Sequence, residues 1–147
     1  MDRIKSDDFG IKIEDIRVGM TASYSQTITD ADIKSFAGIS GDHNPIHVDE
    51  KFAKKSRYKK RIVHGLLSAS FFSSIFGTKL PGYGCVYASQ TLDFKRPIYL
   101  DDTVVARVEV VEVLIKEKTV IFKTICEVNN KVAISGIARI FMPEILG

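Results

Sequence analysis

Residues 65–77 read GLLSASFFSSIFG, apolar on most sides and interleaved with small serine and alanine residues. A helix with that surface has no face to turn to water, so other structure must enclose it. Its small residues let a neighbouring backbone come close. After a turn marked by Pro81, Gly82 and Gly84, the period changes. VYASQTLDF, DTVVARVEVVEVLIK, KTVIFKTICEV and KVAISGIARIF read as strands, and Val105-Ala106-Arg107-Val108-Glu109-Val110 gives one apolar and one polar face. Asn129-Asn130 fits a two-residue hairpin turn, because Asn tolerates positive φ, so the last strands should be antiparallel. One apolar helix and several long strands predict an α+β fold in which a curved antiparallel β-sheet wraps a long central helix. A sheet that covers its helix on one side leaves an edge or face for a second protomer, so at least a dimer is expected.

Upstream of the helix, TASYSQTIT (residues 21–29) is rich in strand formers and reads as a first strand. Thr29 can cap a following helix, with Asp32 completing a short capping box and Ile33, Phe36 and Ala37 forming the apolar side. Gly38 and Gly41 weaken that helix, and Pro45 biases Asn44 towards extended backbone, so residues 42–47 are predicted to form an irregular loop. VDEKFAKKSRY then reads as a short helix with Phe52 and Ala53 inward and its lysines outward.

With 147 residues, no repeat and no linker, the chain is expected to form one domain, residues 1–147. No run approaches the roughly 18 apolar residues of a membrane span, and the start, MDRIKSDDFG, is too charged for a secretory signal. A cytoplasmic protein without membrane partners is expected. Cys85 and Cys126 lie in apolar surroundings (GCVYA, TICEV) and read as buried thiols of a reducing compartment. Net charge is only +3, yet seven of the 21 Lys and Arg residues crowd into KFAKKSRYKKR, residues 51–61. That cluster reads as a solvated face or as a patch for a phosphate-bearing ligand. Nucleic acid is not an expected partner, because the cluster carries one aromatic residue, Tyr58, and no recognisable nucleic-acid module surrounds it.

Polar chemistry is concentrated in GDHNPIHVD, residues 41–49, and the chain's three histidines fall at positions 43, 47 and 64. A carboxylate and an imidazole that share one water can polarise it and carry its protons, which makes Asp42 and His47 a candidate pair. The plainer alternative has Asp42 capping a turn, Asn44 making a local bond and His47 as a satisfied, partly buried side chain. VHGLL, residues 63–67, shifts that balance, because a glycine at a helix start exposes free N–H groups at the positive end of the dipole. Gly65 is the candidate donor to an oxyanion. His43 and His64 have no evident carboxylate partner and read as structural or exposed. Without paired cysteines or a second ligand cluster, no metal site is expected.

Asp42-His43-Asn44-Pro45-Ile46-His47 resembles the D-x-N-P-x-H signature of the MaoC-like, (R)-specific enoyl-CoA hydratases. Ile62-Val63-His64-Gly65 is similar to the family's following helix start, Phe94-Lys95-Arg96-Pro97 fits its F-x-x-P strand end, and the likeness covers roughly residues 29–113. The resemblance implies the hot dog fold, usually dimeric, and reversible syn hydration of a trans-2-enoyl-CoA to an (R)-3-hydroxyacyl-CoA. It implies Asp42 and His47 as the catalytic pair, Gly65 as the oxyanion glycine, Ser73 near the acyl thioester and Asn44 ordering the loop. Neither metal nor organic cofactor is implied. Lys95, Arg96 and the basic cluster become candidates for the CoA phosphates, and Phe71, Phe72 and Phe76 either line an acyl pocket or belong to the core. The alternatives are an acyl-CoA thioesterase on the same fold, a 3-hydroxyacyl carrier protein dehydratase, or a non-catalytic acyl-CoA module. Residues 1–15 lie outside the resemblance.

Overall fold

A computed structural model describes residues 10–144 of the chain. Among them β1 (Thr21–Thr27) leads to α1 (Asp30–Ser40), two short helices α2 (Pro45–Val48) and α3 (Glu50–Lys55), and the long α4 (Gly65–Thr78). β2 (Val86–Gln90), β3 (Asp93–Phe94), β4 (Thr103–Leu114), β5 (Thr119–Val128) and β6 (Lys131–Phe141) follow. The described strands form one six-stranded sheet in the order β1-β4-β5-β6-β2, with β3 also paired to β6. All its pairings are antiparallel.

Alternation along β4 buries Val104, Ala106, Val108 and Val110, and these face α4. Leu67, Phe71, Phe72, Ile75 and Phe76 of α4 are buried against the sheet, Phe71 edge-on to Tyr24 of β1 and Phe76 edge-on to Phe122 of β5. Burying a side chain such as Phe72 stabilises by about 1.5–3 kcal/mol, so α4 holds the sheet's curvature as well as its own place. This is the wrapped-helix, hot dog arrangement expected from the sequence.

Local signals set the remaining elements. Asn129 and Asn130 both adopt positive φ (51° and 63°) at the β5–β6 turn. At α1, Thr29 Oγ1 accepts from Asp32 N–H while Asp32 accepts from Thr29 N–H, the reciprocal box expected. The helix runs through Gly38 and ends at Gly41, whose φ of 78° is open to glycine at little cost.

Two expectations are corrected. Residues 45–48 are not irregular but form the single turn α2, because Asn44 Oδ1 accepts from Ile46 N–H (3.2 Å) and Pro45 at the first helical position has no N–H to leave unpaired. Phe52 points outward, since α3 is one short turn and a half whose inward position is taken by Ala53. Cys126 is buried and Cys85 half-buried, both as free thiols, and burial pushes Cys126 up to about 12. Among the described residues no helix is long and apolar enough to cross a membrane.

One face of the sheet stays uncovered among the described residues. Val86 of β2 and Ile137 and Phe141 of β6 are its exposed apolar residues, and β2 is an edge strand of the main path.

Candidate active site

The segment leading into α4 is laid alongside α2. Ile62 N–H donates to the Ile46 carbonyl (3.2 Å), His47 Nδ1 donates to the Ile62 carbonyl (2.7 Å), and Arg61 Nε donates to the His47 carbonyl (2.6 Å). Val63 N–H, donating to the Ile98 carbonyl at 2.7 Å, ties the same segment to the far side of the site. These bonds bring the D-x-N-P-x-H turn to the N-terminus of α4, two motifs that the sequence leaves apart.

His47 is 9% exposed, and its Nδ1 proton is committed to the Ile62 carbonyl, so the neutral ring carries its free lone pair on Nε2. Burial lowers its pKa from the ordinary 6.5. The Ile62 carbonyl works against that shift, the neighbouring His64 adds to it, and the Asp42 carboxylate opposes it. Asp42 is exposed, and its Oδ1 accepts from Asn44 N–H (3.1 Å), which fixes the carboxylate at the turn.

His64, which reads from the sequence as structural or exposed, takes the structural place: it is only 2% exposed and stacks on His47, with centroids 4.0 Å apart and planes 30° apart. One nitrogen or carboxylate oxygen from each of Asp42, His47 and His64 lies within 4.8 Å of the other two. These are ligand-type atoms, so the cluster could gather round an ion. The available signal for the place of His64 was its position directly before Gly65, in the same apolar stretch.

The Gly65 and Leu66 N–H groups open α4 and have no partner within the helix, and His64, the N-cap, makes no side-chain cap bond. These groups border a cavity of about 650 Å³. Its lining includes Asp42, His47, His64 and Gly65, apolar walls from Phe36, Val63, Phe94, Ile98 and Ile134, and cations from Arg57, Lys95 and Arg96.

The cavity thus gathers Asp42, His47, Gly65, Lys95 and Arg96. Asn44 is absent from the lining and serves as the cap of α2. Ser73 is not brought to it: more than two turns along α4 from Gly65, it is exposed and absent from the lining. Phe71, Phe72 and Phe76 belong to the core and not to the cavity wall. Within the basic cluster, Arg61 departs from the solvated reading. It is 7% exposed, and its Nη2 stands 2.7 Å from Asp30 Oδ1, an ion pair whose alignment falls short of a hydrogen bond.

Residues 15–136 match the model of the MaoC like domain. The chain belongs to the MaoC-like domain family. It is 47% identical over 130 residues to the (R)-specific enoyl-CoA hydratase of Rhodospirillum rubrum, covering 88% of this chain and 90% of that protein. It is 40% identical over 131 residues to the 3-hydroxybutyryl-CoA dehydratase of Methylorubrum extorquens, covering 89% and 83%. Among solved structures it resembles the (R)-hydratase from A. caviae involved in PHA biosynthesis, with a TM-score of 0.86 and 35% identity, over 88% of this chain and 99% of that one.

Proposed function

We propose that this chain, as one MaoC-like domain spanning residues 1–147, is an (R)-specific enoyl-CoA hydratase, a hydro-lyase that adds water reversibly across trans-2-enoyl-CoA. The observation that carries this reading is the convergence of the Asp42 carboxylate and the His47 imidazole on a cavity bordered by the open N-terminus of α4. The names of the relatives in Rhodospirillum rubrum and Methylorubrum extorquens support it.

The chemistry follows from the protonation states. A water held between Asp42 and His47 Nε2 loses a proton to the neutral imidazole as its oxygen bonds to the β-carbon. The electrons of the double bond move to the thioester oxygen, where the Gly65 N–H and the helix dipole stabilise the enolate. His47, steadied by Asp42 while charged, returns the proton to the α-carbon on the same face, giving the syn (R)-3-hydroxy product. Asn44 keeps the turn in place, and no cofactor enters the steps. Arg57, Lys95 and Arg96 line the cavity and supply the cations for the CoA phosphates in this reading, with the acyl chain against Phe36, Ile98 and Ile134. The exposed apolar residues around the edge strand β2 support a homodimer built on that face. Two free thiols accord with a reducing, cytoplasmic setting.

Crotonyl-CoA tests the reading. Hydration removes the conjugated enoyl absorbance without releasing thiol, and chiral analysis of the product returns the (R) alcohol. Thiol release would mean a thioesterase, and no change in either signal would sink catalysis on this substrate. A parallel assay with the crotonyl thioester of acyl carrier protein separates the carrier protein dehydratase alternative.

A further inference from the structure

We infer that His64 is a positioning residue, an imidazole with a proton on Nε2 that locks the Asp42–His47 pair to the start of α4. The inference deepens the hydratase reading and rests on it for its kinetic consequences.

Its Nε2 lies 2.9 Å from the Asp42 carbonyl oxygen. A carbonyl only accepts, so Nε2 must carry the proton. One face of the ring covers His47 at 4.0 Å, and Phe36 of α1 packs against it at 4.8 Å with a 56° tilt. Its Nδ1 is buried with no partner among the described residues. The backbone of the same residue is the N-cap of α4, its carbonyl accepting from Leu67 N–H at 3.1 Å.

One side chain therefore connects three parts of the site. It holds the Asp42 backbone, covers the catalytic imidazole and precedes the oxyanion glycine. A residue that merely filled space would need the flat ring and not the Nε2 proton, and the two functions separate by substitution. Gln places an N–H donor near the Nε2 position without the ring; Phe retains the ring without the donor.

Histidine-selective 15N NMR on the unsubstituted protein gives the first test, with only three histidines to observe. The His43→Gln variant removes the exposed one and assists assignment. The expected result is a neutral-form His64 ring carrying its proton on Nε2. A His64 found as the Nδ1–H tautomer overturns the inference. In crotonyl-CoA kinetics, His64→Phe is expected to lower kcat roughly 10- to 100-fold with KM within about twofold, as for a displacement of order 1 Å in a reacting group. His64→Gln should recover most of that loss. Full kcat in His64→Phe, in a protein that melts as wild type does, would show packing alone and sink the inference. A wild-type protein inactive on every enoyl thioester would instead remove the hydratase reading, and the NMR tautomer would still decide the role of His64.

Discussion

The ring of Phe94 lies over Gly65 so closely that a methyl group added at Gly65 would stand 2.4 Å from its Cε1. Strand β3 thus covers the first turn of α4, and the glycine leaves room for both an aromatic wall and an exposed N–H. Gly65→Ala is expected to cost about 1 kcal/mol, the low end for overpacking, because Phe94 is 54% exposed and can swing away. It should also lower kcat/KM. Urea melts of the single variants and the double variant with Phe94→Ala check the contact: the stability penalty should vanish in the Phe94→Ala background, and its persistence would rule the clash out.

Asp42→Asn and His47→Gln should each reduce kcat about 10²- to 10⁴-fold, the usual contribution of a positioned acid or base. Both should keep the wild-type far-UV circular dichroism. Turnover near wild type in either would show that the pair does not carry the proton.

The pH dependence follows from the lowered pKa of His47. The neutral ring is the acceptor, so activity should be lost only as pH falls, with the midpoint of the acidic limb below the ordinary 6.5. Stability shares the direction. Below 6.5 the unfolded chain binds the proton more readily than the folded one, so stability declines from there down to the folded pKa and the contribution is flat above 6.5. Melts across pH 5–8 should show His47→Gln with a shallower acid slope than wild type.

Arg61→Met should destabilise by about 2 kcal/mol, in the range of a hydrogen bond to a charged group. The His47 carbonyl loses its donor, while Asp30 retains Lys34 at 2.7 Å and remains partly in water. Chemical denaturation measures this, and a kcat loss exceeding any change in KM would show that the backbone of His47 had moved.

Ile137→Lys with Phe141→Lys should convert the proposed homodimer to a monomer in light scattering, since each places a charge on the uncovered apolar face. An unchanged mass would move the interface elsewhere.

The strands and α4 were legible because burial imposes periods, two in β4 and none in an enclosed helix. The caps at Thr29 and the turn at Asn129-Asn130 were legible because they depend on neighbours in sequence. α2 was not, since a single turn has no period and is set by the Asn44 cap and by docking against residues 61–62. The contacts of His64 and Arg61 escaped for a related reason. Their partners, the Asp42 carbonyl, the His47 ring and Asp30, are distant in sequence, and nothing local distinguishes a buried cation at the end of a basic run from its solvated neighbours. Ser73 followed from resemblance alone, and its outward position on α4 is a matter of helical phase.

The pairing of β1 with β4 has a consequence for synthesis. Thr27 meets Thr103 across 76 residues, whereas β4, β5 and β6 are joined by short turns. At about 5–20 residues per second, a ribosome leaves β1 without its partner for roughly 4–15 s. During that interval Tyr24 and the rest of the strand offer an open edge, so the nascent chain is most vulnerable to pairing with other chains before β4 emerges, and early binding by a chaperone would matter most there.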